Sequence, residues 1–144
     1  MAGCCRVLLT VLLLVGSTLV TAADITARQA WIRLLPGSLP AAGYLQLVNR
    51  GTQTVRLTGV QGTAFAAIEI HESSEQSGVA RMRRVESLAI PAGKTVALKP
   101  LGYHLMLFNP VEGLKPGGRV TLTLEFSDAS RLPVAFQLRD AAGQ

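Results

Sequence analysis

From Ile25 onward the chain is built of short runs rich in Val, Ile, Leu and Thr, broken at frequent intervals by Gly, Pro and Asn. The clearest run is Val120-Thr121-Leu122-Thr123-Leu124-Glu125-Phe126, in which every even position is apolar and every odd one polar. A period of two puts the even residues on one face of a strand, and a strand buried on one face only belongs to an antiparallel sheet. The same reading predicts strands near 26–33, 43–49, 54–60, 67–71, 80–85, 95–99, 104–108, 119–126 and 133–138. Between them Pro36-Gly37, Asn49-Arg50-Gly51, Pro91-Ala92-Gly93 and Pro116-Gly117-Gly118 carry turn chemistry. No segment has the 3.6-residue period of a long amphipathic helix, so parallel crossovers have no helices to make them. The expectation is an all-β Greek-key sandwich or barrel in a single domain.

The first segment has a different pattern. Met1 to Arg6 carries one positive charge, Val7 to Val15 is almost wholly apolar, and small residues follow at Thr21, Ala22 and Ala23. This predicts a secretory signal peptide over 1–23, a β-sandwich domain over 24–140 and a short C-terminal tail over 141–144. The apolar run is short of the ~20 residues a spanning helix needs, so no membrane association is expected once it is cleaved. Cys4 and Cys5 precede that run, where a lipid-modified cysteine would follow it, and cleavage removes both. Without a cysteine the exported chain has no disulfide, no thiolate nucleophile and no Cys-ligated metal.

Charge narrows the partners a little. Of the 14 Lys and Arg and 9 Asp and Glu, only Arg6 lies in the first segment, which leaves 13 cations against 9 anions, a net +4. Mild basicity favours an acidic partner. The aromatic and basic interleaving of single-strand binders is missing, so nucleic acid is not expected. Trp31, Tyr44, Tyr103 and Phe126 read as packing residues.

The chemistry concentrates in four side chains. After the initiator, the histidines are His71 and His104 and the methionines are Met82 and Met106. Their order is His71, ten residues, Met82, twenty-one residues, His104, one residue, Met106, all within a quarter of the chain. A thioether is a soft, neutral donor that suits copper(I), whereas zinc and harder cations prefer thiolate, imidazole or oxygen. In His104-Leu105-Met106-Leu107 residues two apart share a face, so His104 and Met106 point together while the leucines enter the core. In Ile68-Glu69-Ile70-His71 the isoleucines take the core face and leave His71 with Glu69 on the other, at the end of the predicted strand. Met82 stands in the charged run Arg81-Met82-Arg83-Arg84, where an apolar residue needs a reason. Glu69 and Glu72 flank His71 as candidates to orient its ring, and Arg81, Arg83, Arg84 and Arg56 are candidates to steer an acidic partner.

The spacing His71-x10-Met82-x21-His104-x-Met106 resembles the signature of the periplasmic copper(I) chaperone family called PCuAC. Trp31, Pro36-Gly37, Ala42-Gly43-Tyr44-Leu45, Asn49-Arg50-Gly51 and Pro91-Ala92-Gly93 extend the likeness over Ile25 to Leu138. The resemblance implies a cupredoxin-like β-sandwich, one copper(I) held by the four side chains, and a periplasmic monomer. It also implies delivery to a cuproenzyme such as the CuA domain of cytochrome c oxidase, directly or through another copper chaperone. The chain departs from the family at Glu72, where a methionine often follows the first histidine. It also ends Asp140-Ala141-Ala142-Gly143-Gln144, without the His- and Met-rich tail of some relatives.

Other functions fit less well. A blue-copper electron carrier needs a cysteine thiolate. An enzyme needs an open metal position or a nucleophilic triad, and four protein ligands leave no such position. Sequestration of copper without delivery would use the same ligands and stays open at this level.

Overall fold

A computed structural model describes residues 24–144; the expected signal peptide lies outside the described residues. Every regular element among them is a strand: β1 (Ile25–Arg33), β2 (Ala41–Asn49), β3 (Val55–Gln61), β4 (Phe65–Gln76), β5 (Val79–Arg84), β6 (Leu88–Ile90), β7 (Thr95–Leu98), β8 (Tyr103–Pro110), β9 (Arg119–Phe126) and β10 (Arg131–Arg139). No helix among the described residues is long and apolar enough to cross a membrane.

The strands form one hydrogen-bonded path, β5-β4-β8-β2-β1-β10-β9-β3-β6, with β7 continuing the edge of β2 that β8 occupies further up. The path folds over on itself. Leu45, Leu47, Leu105 and Leu107 from one half share a core with Leu57, Leu122, Leu124 and Phe136 from the other, all 1% exposed or less. Each such leucine or phenylalanine contributes roughly 1.5–3 kcal/mol by leaving water. The result is the all-β, cupredoxin-like sandwich that the sequence led us to expect, and the alternation in β9 places Leu122, Leu124 and Phe126 inside.

Four features differ from the sequence reading. Trp31–Arg33 of β1 run parallel to Gln137–Arg139 of β10; the pair lies at opposite ends of the chain, so the whole domain serves as its connection and no crossover helix is required. The short strand β6 was not foreseen. Strand β4 continues to Gln76, so His71 lies mid-strand and not at a strand end. Beyond it Glu72-Ser73-Ser74-Glu75 pairs with β5 in a hairpin whose outer strand is exposed at all six positions. Lastly, the segment expected as a tail folds back: Asp140 Oδ1 accepts from the N–H groups of Ala142 and Gln144, and Arg139 donates to the Gly143 carbonyl.

The turn after β2 is held by a buried polar residue. Asn49 is 1% exposed; its amide donates to the carbonyls of Gln53 and Ile90, at 2.8 and 2.9 Å, and its Oδ1 accepts from Gly51 N–H. It closes its own turn and ties β6 to β2. Asn49→Ala strips three partners at once and is expected to lower the unfolding free energy by about 2–4 kcal/mol. Urea denaturation checks this, and a loss below about 0.5 kcal/mol would mean water replaces the amide freely.

Candidate metal centre

Backbone register assembles the site. Directly opposed residues on neighbouring strands project to the same side. His71 on β4 faces His104 on β8, and Glu69 faces Met106. One step outward Ser73 faces Met82 on β5, and one step inward Met106 faces Ala42 on β2. Since residues two apart share a face, His71 and Ser73 agree, as do His104 and Met106. All four candidate side chains therefore lie on one face of β5-β4-β8-β2. The opposite face is anchored by Ile70, Leu105 and Leu107, which are buried in the core.

Met82, His104 and Met106 line a single depression of about 410 Å³, together with Arg33, Tyr44 and Ser73. His71 is not part of that lining; its ring centroid lies 6.0 Å from that of His104 and 6.4 Å from that of Phe108. Exposure grades across the site, since His104 is 5% exposed and Met82 is 55% exposed. Among the described residues no group of three or more His, Cys, Asp or Glu side chains could hold an ion. No oxygen-rich cage therefore competes with this mixed nitrogen and sulfur set.

Hydrogen bonding sets both imidazoles in a state suited to ligation. His104 Nδ1 lies 3.0 Å from the Gly102 carbonyl, and His71 Nε2 lies 2.9 Å from Glu69 Oε2. A carbonyl or carboxylate oxygen only accepts, so each of these nitrogens carries a proton, and in the neutral ring the lone pair stands on the other nitrogen. For His71 that other nitrogen, Nδ1, is shielded from solvent and has no hydrogen-bond partner. A buried orphan of this kind costs stability unless something binds it. The carboxylate behind His71 and the carbonyl behind His104 match the way metal-bound imidazoles are usually held.

The flanking charges sort themselves. Glu69 touches His71 and also pairs with Arg84 at 3.5 Å. The hydrogen bond from His71, ahead of the nearby Arg84 charge, holds its carboxyl below the usual range. Glu72 turns away and pairs with Arg83. Burial, then Glu72, raises the Tyr103 phenol. Two of the three hairpin arginines are thus matched within the hairpin, while Arg56 lies on β3 and donates to Ser87 Oγ. The expected basic steering patch is reduced to Arg81 and to Arg33, which the sequence did not single out. Tyr44, read as packing, is buried yet also walls the depression, its ring 4.6 Å from that of Trp31. Leu39 and Leu101 also line it and were missed; the only signal for them was an apolar residue placed in a Pro- and Gly-rich turn.

Known proteins share this architecture. Residues 25–138 match the family described as "Putative lipoprotein LpqE-like". A lipoprotein-named protein of Leifsonia xyli is 34% identical over 116 residues, 80% of this chain and 69% of its own length. Among solved structures, the copper-bound PCuAC domain from PmoF2 superposes with a TM-score of 0.70 at 22% identity, over 83% of this chain and 96% of that one. The copper(I) form of DR1885 from Deinococcus radiodurans does so with a TM-score of 0.64 at 28% identity, over 87% of this chain and 83% of that one. The fold implied by the sequence resemblance is therefore the fold observed, and the chain belongs to the LpqE-like family, related to the PCuAC copper domains.

Proposed function

We propose that this protein is a copper chaperone: an exported, non-enzymatic carrier that holds one copper(I) between His71, Met82, His104 and Met106 and passes it to a cuproenzyme. The single observation that carries the reading is the register that places two imidazoles and two thioethers on one sheet face. Two neutral nitrogens and two soft sulfurs suit a monovalent soft cation and leave hard divalent ions poorly served. The gradient from buried His104 to exposed Met82 supports hand-over, since an acceptor can reach the outer ligand first. Copper-bound relatives of the same fold lend weight to the cargo. In this reading residues 1–23 direct export to the periplasm, residues 24–140 form the carrier, the protein is a monomer, and the CuA domain of cytochrome c oxidase is the acceptor.

The test is an anaerobic copper(I) titration of the purified protein against a chromophoric chelator. One ion per chain is expected, and alanine at any of the four positions weakens its capture. Two tightly bound ions would overturn the one-ion site, and an alanine variant at His71 or His104 that keeps the parent affinity would remove that histidine from the ligand set.

A further inference from the structure

Of the five most exposed large hydrophobic side chains among the described residues, three, namely Leu39, Met82 and Leu101, line the one depression that holds His104 and Met106. Scattered apolar residues on a surface are ordinary, but a cluster around a candidate site is not. Leu101 is the extreme case at 92% exposed, and it is held there by a left-handed backbone, φ 62°, that a leucine seldom adopts. Its turn is tied down on both sides. Gly102 N–H donates to the Lys99 carbonyl, and the Gly102 carbonyl accepts from Ser73 N–H as well as from His104 Nδ1. The turn that sets the tautomer of His104 thus also fixes an apolar side chain outward beside it.

Charge around this patch is unbalanced. The ion pairs of the β4–β5 hairpin use Glu69 and Glu72 with Arg84 and Arg83. Arg33 lines the depression, its guanidinium 5.8 Å above the Tyr44 ring, with Nε buried and lacking any acceptor. Arg81 borders the patch beside Met82 and Leu101, Lys99 is two residues from Leu101, and Glu75 is the acid on that side. Around the patch, then, stand three cations without a salt-bridge partner among the described residues and one carboxylate.

We infer that Leu39, Leu101 and Met82, rimmed by Arg33, Arg81 and Lys99, form the docking surface for a copper-accepting protein domain that presents an apolar centre and an acidic rim. This rests on the delivery reading above and adds the face through which delivery occurs. Apolar contact at Leu101 excludes water over the outer ligand, and a carboxylate of the acceptor answers Arg33, which has no salt bridge among the described residues. Docking there brings the acceptor's donors onto Met82, the most exposed of the four proposed ligands.

The experiment mixes the copper(I)-loaded protein with the apo, soluble CuA domain of cytochrome c oxidase and follows metal transfer by stopped flow at several salt concentrations. Leu101→Asn suits the left-handed backbone, and Leu39→Ser is an independent second variant. Both are expected to keep copper(I) affinity within about twofold while slowing transfer about tenfold, and the parent rate falls as salt rises. Parent transfer that both variants match would overturn the surface and leave delivery standing. A parent protein that binds copper but transfers none overturns delivery and the surface together. A concentration-dependent dimer of the parent that Leu101→Asn abolishes would assign the patch to a second copy of this chain, against the proposal.

Discussion

Replacing both thioethers at once, Met82→Leu with Met106→Leu, is expected to leave the fold in place and lower copper(I) affinity by about 100-fold or more. Leucine nearly conserves the volume of methionine, and such exchanges cost less than about 1.5 kcal/mol even in a core. Met82 is 55% exposed, so its share of that cost is smaller still. What disappears is the soft half of the donor set, while the imidazoles keep their lone pairs through Glu69 and Gly102. Selectivity then gives the sharper readout. The pair of imidazoles alone serves copper(II) or zinc about as well as before, so the preference for copper(I) collapses while the other affinities move little. Chelator competition for each ion, with a thermal melt as control, measures both. A double variant that retains copper(I) within threefold of the parent would show that the sulfurs are packing atoms.

Much of the geometry of the candidate site was legible because period-two arithmetic is local. His104 and Met106 two apart, with Leu105 and Leu107 between them, fix a shared face before any partner strand is known, and both leucines are 0% exposed. The likeness of spacing to a known copper family supplied the fold by analogy, and the long alternation of β9 supplied its antiparallel logic. Register, however, is a property of two strands, and no single strand states it. That His71 opposes His104, with Ser73 opposite Met82, depends on how β4 is slid against β8 and β5. The length of β4 was hidden for a related reason. Past His71 the strand leaves the core, so Glu72-Ser73-Ser74-Glu75 is polar on both faces and reads as loop. Strand β6, three residues long, is too short to show a period at all.

Charge was the least readable layer. Arg81-Met82-Arg83-Arg84 is a basic block in one dimension, yet β4 brings Glu69 and Glu72 to Arg84 and Arg83 and cancels much of it. Exposed pairs of this kind add little stability. Their effect is on the field, which leaves the remaining positive charge to Arg33 on the depression and to Arg81 at the neighbouring edge of β5. Leu101 shows the converse: no pattern marks an apolar residue in a turn as exposed, because its position follows from the left-handed backbone and from the bonds to Gly102.

The largest stability effect is expected from Leu105→Ala. Leu105 is fully buried, and a Cβ built on Gly43 of β2 would lie only 3.1 Å from its own, so strand and side chain fit closely there. Truncation leaves a cavity and costs about 2–5 kcal/mol. Leu122→Ala, on β9 in the other half of the core and equally buried, should cost a similar amount. The two differ in what they do to the metal. Leu105 is the neighbour of both His104 and Met106 and holds β8 between β4 and β2, so its loss lets the strand that carries these two residues settle inward. Copper(I) affinity is expected to fall about tenfold in Leu105→Ala, in the range seen when the support of a metal ligand is removed, and to stay near parental in Leu122→Ala. Copper at about 1,000 times its dissociation constant adds about 4 kcal/mol to any variant that binds only when folded. Holo and apo melts of the two variants therefore separate general weakening from a displaced site. Equal copper affinity in both would mean that β8 holds its outward face without help from the leucine beneath it.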